Sequence, residues 1–176
     1  MATKIFDTDK FEAPTGKSWS QWLEFAKKAK LADLPHNEIA IRFSEAGVPN
    51  WWSQMLTVAY EQHIGRRAPG QVGDAFRTQV NRTILGEVPA VHDRWIKAKA
   101  KVKEFGGVAL AKAPTISTTP KRSYWRVGLV DGGKVQVAFE PRPGKTMINV
   151  THEKLDSAAS IERWKAIWKK VLSDFS

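Results

Sequence analysis

The side chains that could carry chemistry are few and widely spaced. His36, His63, His92 and His152 are the only histidines, and no two have the short spacing by which a helix or tight loop presents paired metal ligands. No serine lies in the setting of a nucleophile elbow. Cysteine is absent, which excludes disulfides, thiol catalysis and the usual structural zinc sites. The tetrad Thr15-Gly16-Lys17-Ser18 has the ending of a phosphate-binding loop, yet Phe11 stands where that loop needs its first glycine and no apolar strand leads into it. It reads as the start of a helix. No catalytic residue, metal ligand or cofactor is expected.

The cations are a stronger signal. The formal charge is +10 and belongs to the second part of the chain: residues 1–74 hold nine Lys or Arg against nine Asp or Glu, residues 75–176 nineteen against nine. Arg94, Lys97, Lys99, Lys101, Lys103, Lys112, Lys121 and Arg122 are candidates for a basic surface that would attract nucleic acid, an anionic ligand or an acidic partner protein. A lysine-rich face that is merely solvated gives the same pattern. The change in charge coincides with residues 66–74, a polar run holding Pro69, Gly70 and Gly73 that reads as a linker between two domains.

Length and composition fit that division. A chain of 176 residues with 42% hydrophobic and 26% charged side chains holds one domain or two small ones of ordinary globular make-up. The N-terminal segment lacks the apolar core of a signal peptide and no run reaches the length of a membrane span. A cytoplasmic protein with no membrane partner is expected, its oligomeric state open.

The first domain reads as all helical. Ser18 and Gln21 form a capping-box pattern ahead of the stripe Trp19, Trp22, Leu23 and Ala26. A second helix is expected over 35–46, with Ile39, Phe43 and Ala46 inward and Pro35 in its first turn, before Gly47-Val48-Pro49 breaks it. Asn50 is expected to cap a third helix running to about Gly65. The pair resembles a helix-turn-helix, but Trp51 and Trp52 occupy the early positions of its second helix, where base-reading Arg, Asn or Gln would stand.

The second domain reads as strands followed by a helix. Ser123–Val130, Lys134–Glu140 and Met147–Thr151 alternate apolar and polar, separated by Asp131-Gly132-Gly133 and Pro141-Arg142-Pro143-Gly144-Lys145, both turn-forming runs. From Ala158 the apolar positions Ile161, Trp164, Ile167, Trp168, Val171, Leu172 and Phe175 recur at helical spacing, and Asp156 or Ser157 can cap the first turn. Ahead of these lie a first strand over 75–84, a helix from Pro89 through Val91, Trp95, Ala98, Val102 and Phe105 that Gly106-Gly107 stops, and one strand at Thr115–Thr119.

These residues carry two resemblances. Thr15-Gly16-Lys17-Ser18-Trp19, His36-Asn37-Glu38-Ile39-Ala40, Trp51-Trp52-Ser53-Gln54-Met55 and Val58-Ala59-Tyr60-Glu61-Gln62 resemble the DUF4287 helical domain, over residues 15–65 after a tail at 1–14. Residues 75–176 resemble the SRPBCC superfamily, the START-like helix-grip fold that includes the Hsp90 ATPase activator homologues, best through Thr151-His152-Glu153-Lys154-Leu155 and Arg163-Trp164-Lys165-Ala166-Ile167-Trp168. The resemblance implies an α+β fold: a three-helix module, then an antiparallel sheet of about five strands packed on a long C-terminal helix. It also implies an apolar ligand cavity, though the chain is short of the family's middle strands.

A cavity between that sheet and helix would be lined by Arg82, Trp95, Trp125, Val127, Phe139, Ile148, Val150, His152, Trp164 and Trp168. The same aromatics read equally as core. The expected function is a non-enzymatic binding or regulatory protein that contacts an apolar small molecule or a partner protein. One alternative is a nucleic-acid-binding protein using the basic second half and the helix-turn-helix-like first half. Another is a cyclase- or hydratase-like enzyme of the SRPBCC superfamily.

Overall fold

The structure of the protein, a computed structural model, describes residues 7–175. The chain divides between Pro69 and Gly70 into two compact units.

The first unit runs through a 3-10 turn (Thr8–Phe11), α1 (Glu12–Thr15), α2 (Trp19–Lys28), a second 3-10 turn (Leu31–Asp33), α3 (His36–Glu45) and α4 (Asn50–His63). The capping box on α2 is complete: Ser18 Oγ accepts from the Gln21 N–H, and Gln21 Oε1 accepts from the Ser18 N–H at 2.8 Å. Just before it, Gly16 at φ 73° turns the chain out of α1, and Thr15 Oγ1 accepts from Trp22 Nε1 at 2.8 Å. The tetrad that looked like a phosphate loop is thus a joint between helices. Asn50 does not cap α4. Pro49 takes the N-cap position, and Asn50 Oδ1 accepts from Ser44 Oγ at 3.2 Å instead.

The expected tail lies outside the described residues over 1–6, and beyond them it is no tail. Phe11 is buried, stacked on Trp19 at 5.7 Å and edge-on to Trp52 at 6.1 Å, where it joins Trp22, Leu31, Ile39, Phe43 and Leu56 in the core. The start of the expected linker is tied down as well. Arg66 and Arg67 lie 3.8 and 3.5 Å from the buried carboxylate of Glu61, and both backbone N–H groups donate to the Glu61 carbonyl. These bonds meet one of the carbonyls that the end of α4 would otherwise leave open.

The second unit runs β1 (Gln71–Val72), β2 (Ala75–Leu85), α5 (Val88–Lys99), β3 (Glu104–Phe105), β4 (Val108–Ala109), β5 (Thr115–Thr118), β6 (Ser123–Gly128), β7 (Lys134–Arg142), β8 (Lys145–Leu155) and α6 (Ala158–Ser173). It is α+β, as expected. Six antiparallel strands form one sheet in the order β1-β2-β8-β7-β6-β5, and β3 pairs with β4 in a separate ribbon. The strand beyond the expected five is β1, which occupies the end of the run read as a linker.

The helix expected to reach Phe105 stops at Lys99. Gly106 and Gly107, at φ 57° and 81°, form a two-residue hairpin loop between β3 and β4 rather than a helix stop. Phe105 therefore reaches the core from a strand, its ring 4.8 Å from that of Trp168. At the other end of the unit, Ser157 caps α6 by accepting from the Ser160 N–H at 3.3 Å. Ile161, Trp164, Trp168 and Leu172 then lie buried against the sheet, followed by Phe175.

The Gly106 turn is a close approach as well as a left-handed one. A Cβ there would come 2.5 Å from Ile167 Cδ1, whereas one on Gly107 would meet nothing within 4 Å. Gly107→Ala is expected to cost about 1 kcal/mol for the positive φ alone, and Gly106→Ala somewhat more, because the end of the half-buried Ile167 side chain must also move aside, measured by urea unfolding. Equal losses would contradict this packing.

Candidate functional site

The alternation of the strands gives the sheet two unlike faces. Val80, Ile84, Trp125, Val127, Val135, Val137, Phe139, Ile148, Val150 and His152 point to the face beneath α5 and α6, and all are buried. The structure brings the expected cavity residues together on this side. Trp95 meets Trp125 at 6.1 Å, Phe139 at 5.9 Å and Phe175 at 5.1 Å, and Trp164 stacks on Trp168 at 6.0 Å. Each ring has another as its neighbour, so the cluster packs as core. Arg82 reaches the end of α6, where its Nη1 donates to the Leu172 carbonyl. A cation there faces the negative end of the helix dipole.

His152 is fully buried in this layer. Its Nδ1 accepts from Trp168 Nε1 at 3.2 Å, so the ring is the neutral tautomer with its proton on Nε2, which has no partner among the described residues. Trp164 closes over it edge-on at 4.3 Å. Gly133, in the β6–β7 turn, is glycine for its sake: a Cβ would lie 2.6 Å from His152 Nε2. Burial pushes the imidazole pKa down to about 4, and the charge of Asp131 opposes that shift.

The other histidines are dispersed. His92 lies against Phe139 at 4.9 Å, and His63 meets Trp19 edge-on at 5.9 Å. His36 lies between two acceptors, Glu61 Oε2 at 2.8 Å and Gln54 Oε1 at 3.2 Å. Among the described residues no group of three or more His, Asp or Glu could hold a metal ion.

The opposite face of the sheet carries Gln79, Asn81, Asn149, Thr151, Gln136, Arg126 and Tyr124, and among the described residues of the second unit no helix packs on it. The expected basic residues fall on two sides. On the helix side, Arg94 stands over the Phe175 ring at 5.3 Å and Lys99 over Trp95 at 5.0 Å, with Lys97 exposed beside them. Burial lowers the Lys99 pKa, opposed by Asp174. Lys101 and Lys103 are exposed between α5 and β3. Lys112, Lys121 and Arg122 belong to the sheet side.

Two depressions mark that side. One, about 380 Å³, is lined by Lys121, Arg122, Tyr124, Glu140 and Arg142, and Glu140 pairs with Arg122 at 3.2 Å and Arg142 at 3.6 Å. The other, about 360 Å³, is lined by Lys112, Arg126, Gly128, Lys134, Gln136 and Glu153. Here Arg126 donates from Nε to Gln136 Oε1 at 2.7 Å and from Nη1 to Ser117 Oγ at 2.8 Å, while its guanidinium lies over the Tyr124 ring at 4.2 Å. Among the described residues no carboxylate pairs with Lys112, Arg126 or Lys134. Sequence reasoning passed over Arg126 and Lys134. Alternation alone puts Arg126 opposite Trp125 and Val127, but only the register, Arg126 beside Gln136 and Lys134 beside Gly128 and Glu153, brings these residues to one place.

No family model, curated protein or solved structure matches the chain.

His152 gives the unit a pH dependence whose sign is set by its environment. Its folded pKa, about 4, lies below the ordinary 6.5, so the unfolded chain takes up the proton first. This contribution to stability is complete above pH 6.5 and is lost as pH falls toward 4. Between those limits the wild type is expected to lose up to about 3 kcal/mol more than His152→Gln, measured by urea unfolding across the range. Parallel pH profiles would contradict a buried neutral His152.

Proposed function

We propose that the protein is a non-enzymatic binding protein that takes an acidic partner protein on the polar face of its second unit's sheet. The observation that carries this reading is the group of cations on that face, Lys112, Arg126 and Lys134, which no carboxylate of the described residues pairs with. Cations in excess of carboxylates on a concave surface attract anionic partners and orient their approach. The apolar-ligand reading has less support, because the aromatic side chains it needs are packed on one another. In this proposal the first unit remains a DUF4287-like helical domain and the second a reduced SRPBCC-like domain. The order of first strand, α5, further strands and α6 supports the latter.

Nucleic acid is the second reading, since the same charge would attract phosphates. It has weaker geometric support. Tyr124 is an aromatic on the open face, but Arg126 already lies over its ring. In the first unit the exposed start of α4 holds Asn50, whose Oδ1 already accepts from Ser44, and Trp51, whose indole has no fork of donors for base edges.

Fluorescence-monitored titration of the full chain with labelled poly-L-glutamate and labelled single-stranded DNA, at about 50 and about 200 mM salt, separates the readings. Polyglutamate is expected to bind at least as tightly as DNA, to weaken with salt, and to perturb backbone amides of β6, β7 and β8 in NMR spectra. No binding at low salt, tighter binding of DNA, or perturbations confined to α5 and α6 would overturn the proposal.

A further inference from the structure

Resting on that reading of the open face, we propose that the depression lined by Lys112, Arg126 and Lys134 is a subsite for one phosphate monoester group. Three features of the site argue for it. The first is charge: with Glu153 counted against the three cations, two positive charges remain in excess, matching the charge of about −1.5 to −2 on a phosphate monoester near neutral pH. The depression lined by Lys121, Arg122, Arg142 and Glu140 has the same count, but there Glu140 is already paired with both arginines, at 3.2 and 3.6 Å, whereas among the described residues no carboxylate pairs with Lys112, Arg126 or Lys134.

The second feature is preorganisation. Arg126 is held by Gln136 and Ser117 and lies over Tyr124, so the guanidinium is fixed before any ligand arrives and its partners are all neutral. Its Nη2 has no partner among the described residues. The third is space: Gly128, paired in register with Lys134, contributes no side chain, and the resulting volume of about 360 Å³ falls in the range of small-ligand sites. Two lysines acting as flexible point charges beside one fixed guanidinium suit the three oxygens and near-double charge of a phosphate monoester better than the two oxygens and single charge of a carboxylate or a phosphodiester.

The test is an NMR titration of the full chain with O-phosphoserine, alongside serine and sodium chloride at matched ionic strength. O-phosphoserine is expected to give saturable shifts at Arg126 Nε and at the amides of Lys112 and Lys134, with a Kd on the order of 1 mM. Lys112→Gln and Lys134→Gln, both at exposed positions, are each expected to weaken binding about threefold, and Glu153→Gln to strengthen it by a similar factor. Lys169→Gln, on the exposed side of α6, should leave it unchanged.

A phosphoserine peptide that binds more tightly than O-phosphoserine assigns the group to a segment of the partner protein; equal affinity assigns it to a free phosphate ligand. Both outcomes support the subsite. Shifts that sodium chloride reproduces, or a loss with Lys169→Gln equal to that with Lys112→Gln, would overturn it. If O-phosphoserine fails while polyglutamate still perturbs the same face, the subsite falls and the partner reading stands. If O-phosphoserine binds there and polyglutamate does not, the partner reading falls and the subsite stands.

Discussion

An antiparallel sheet must do something with both of its faces, and among the described residues of the second unit helices pack on only one. The strands send Trp125, Phe139, Ile148 and Val150 to the side where α5 and α6 lie, and Arg126, Gln136, Asn149 and Thr151 to the other. The helices bring rings large enough to meet the sheet across the interface: Trp95 from α5 against Trp125 and Phe139, and Trp164 and Trp168 from α6 against His152. Two indoles on one helical stripe need a broad apolar surface opposite them, and the inner face of the sheet is that surface. The polar face, on which no helix among the described residues of the second unit packs, is where cations stand without carboxylate partners.

The same layering accounts for the polar groups inside it. His152 is tolerated at full burial because it is neutral, accepts from Trp168 Nε1 and has Gly133 beside its ring. Arg82 is tolerated because its charge is directed to a helix C-terminus. Both stand on strands at positions where alternation points them inward, and both are used by the fold. The first unit solves a similar problem at Glu61, whose buried carboxylate lies between His36, Arg66 and Arg67 at the end of α4.

Much of this was legible in the residues where the signal is local. The Ser18–Gln21 capping box, the alternation of β6 and β7, and the stripe of α6 are all written in neighbouring positions, and each element appears where that pattern falls. The failures have a common cause. The helix read through Phe105 met a Gly-Gly pair that serves equally as a helix stop or a hairpin loop, and only the packing of Phe105 on Trp168 distinguishes them. Residues 71–72 looked like linker because a two-residue strand has no periodicity to read. Phe11 looked like tail because its partners, Trp19 and Trp52, are brought to it by tertiary packing. The site was the least legible, since the depression is assembled from the β5 edge, β6, β7 and β8, and register cannot be read from one strand at a time.

The account rests on the claim that the interior between sheet and helices is filled by its own aromatics, so that binding belongs to the opposite face. The indole N–H resonances of Trp95, Trp125, Trp164 and Trp168, followed by NMR during titration with a long-chain fatty acid below its micellar concentration, test that claim most directly. They are expected to stay unmoved. Saturable, one-to-one shifts of these four resonances would mean that the interior opens to an apolar ligand, and would contradict the account.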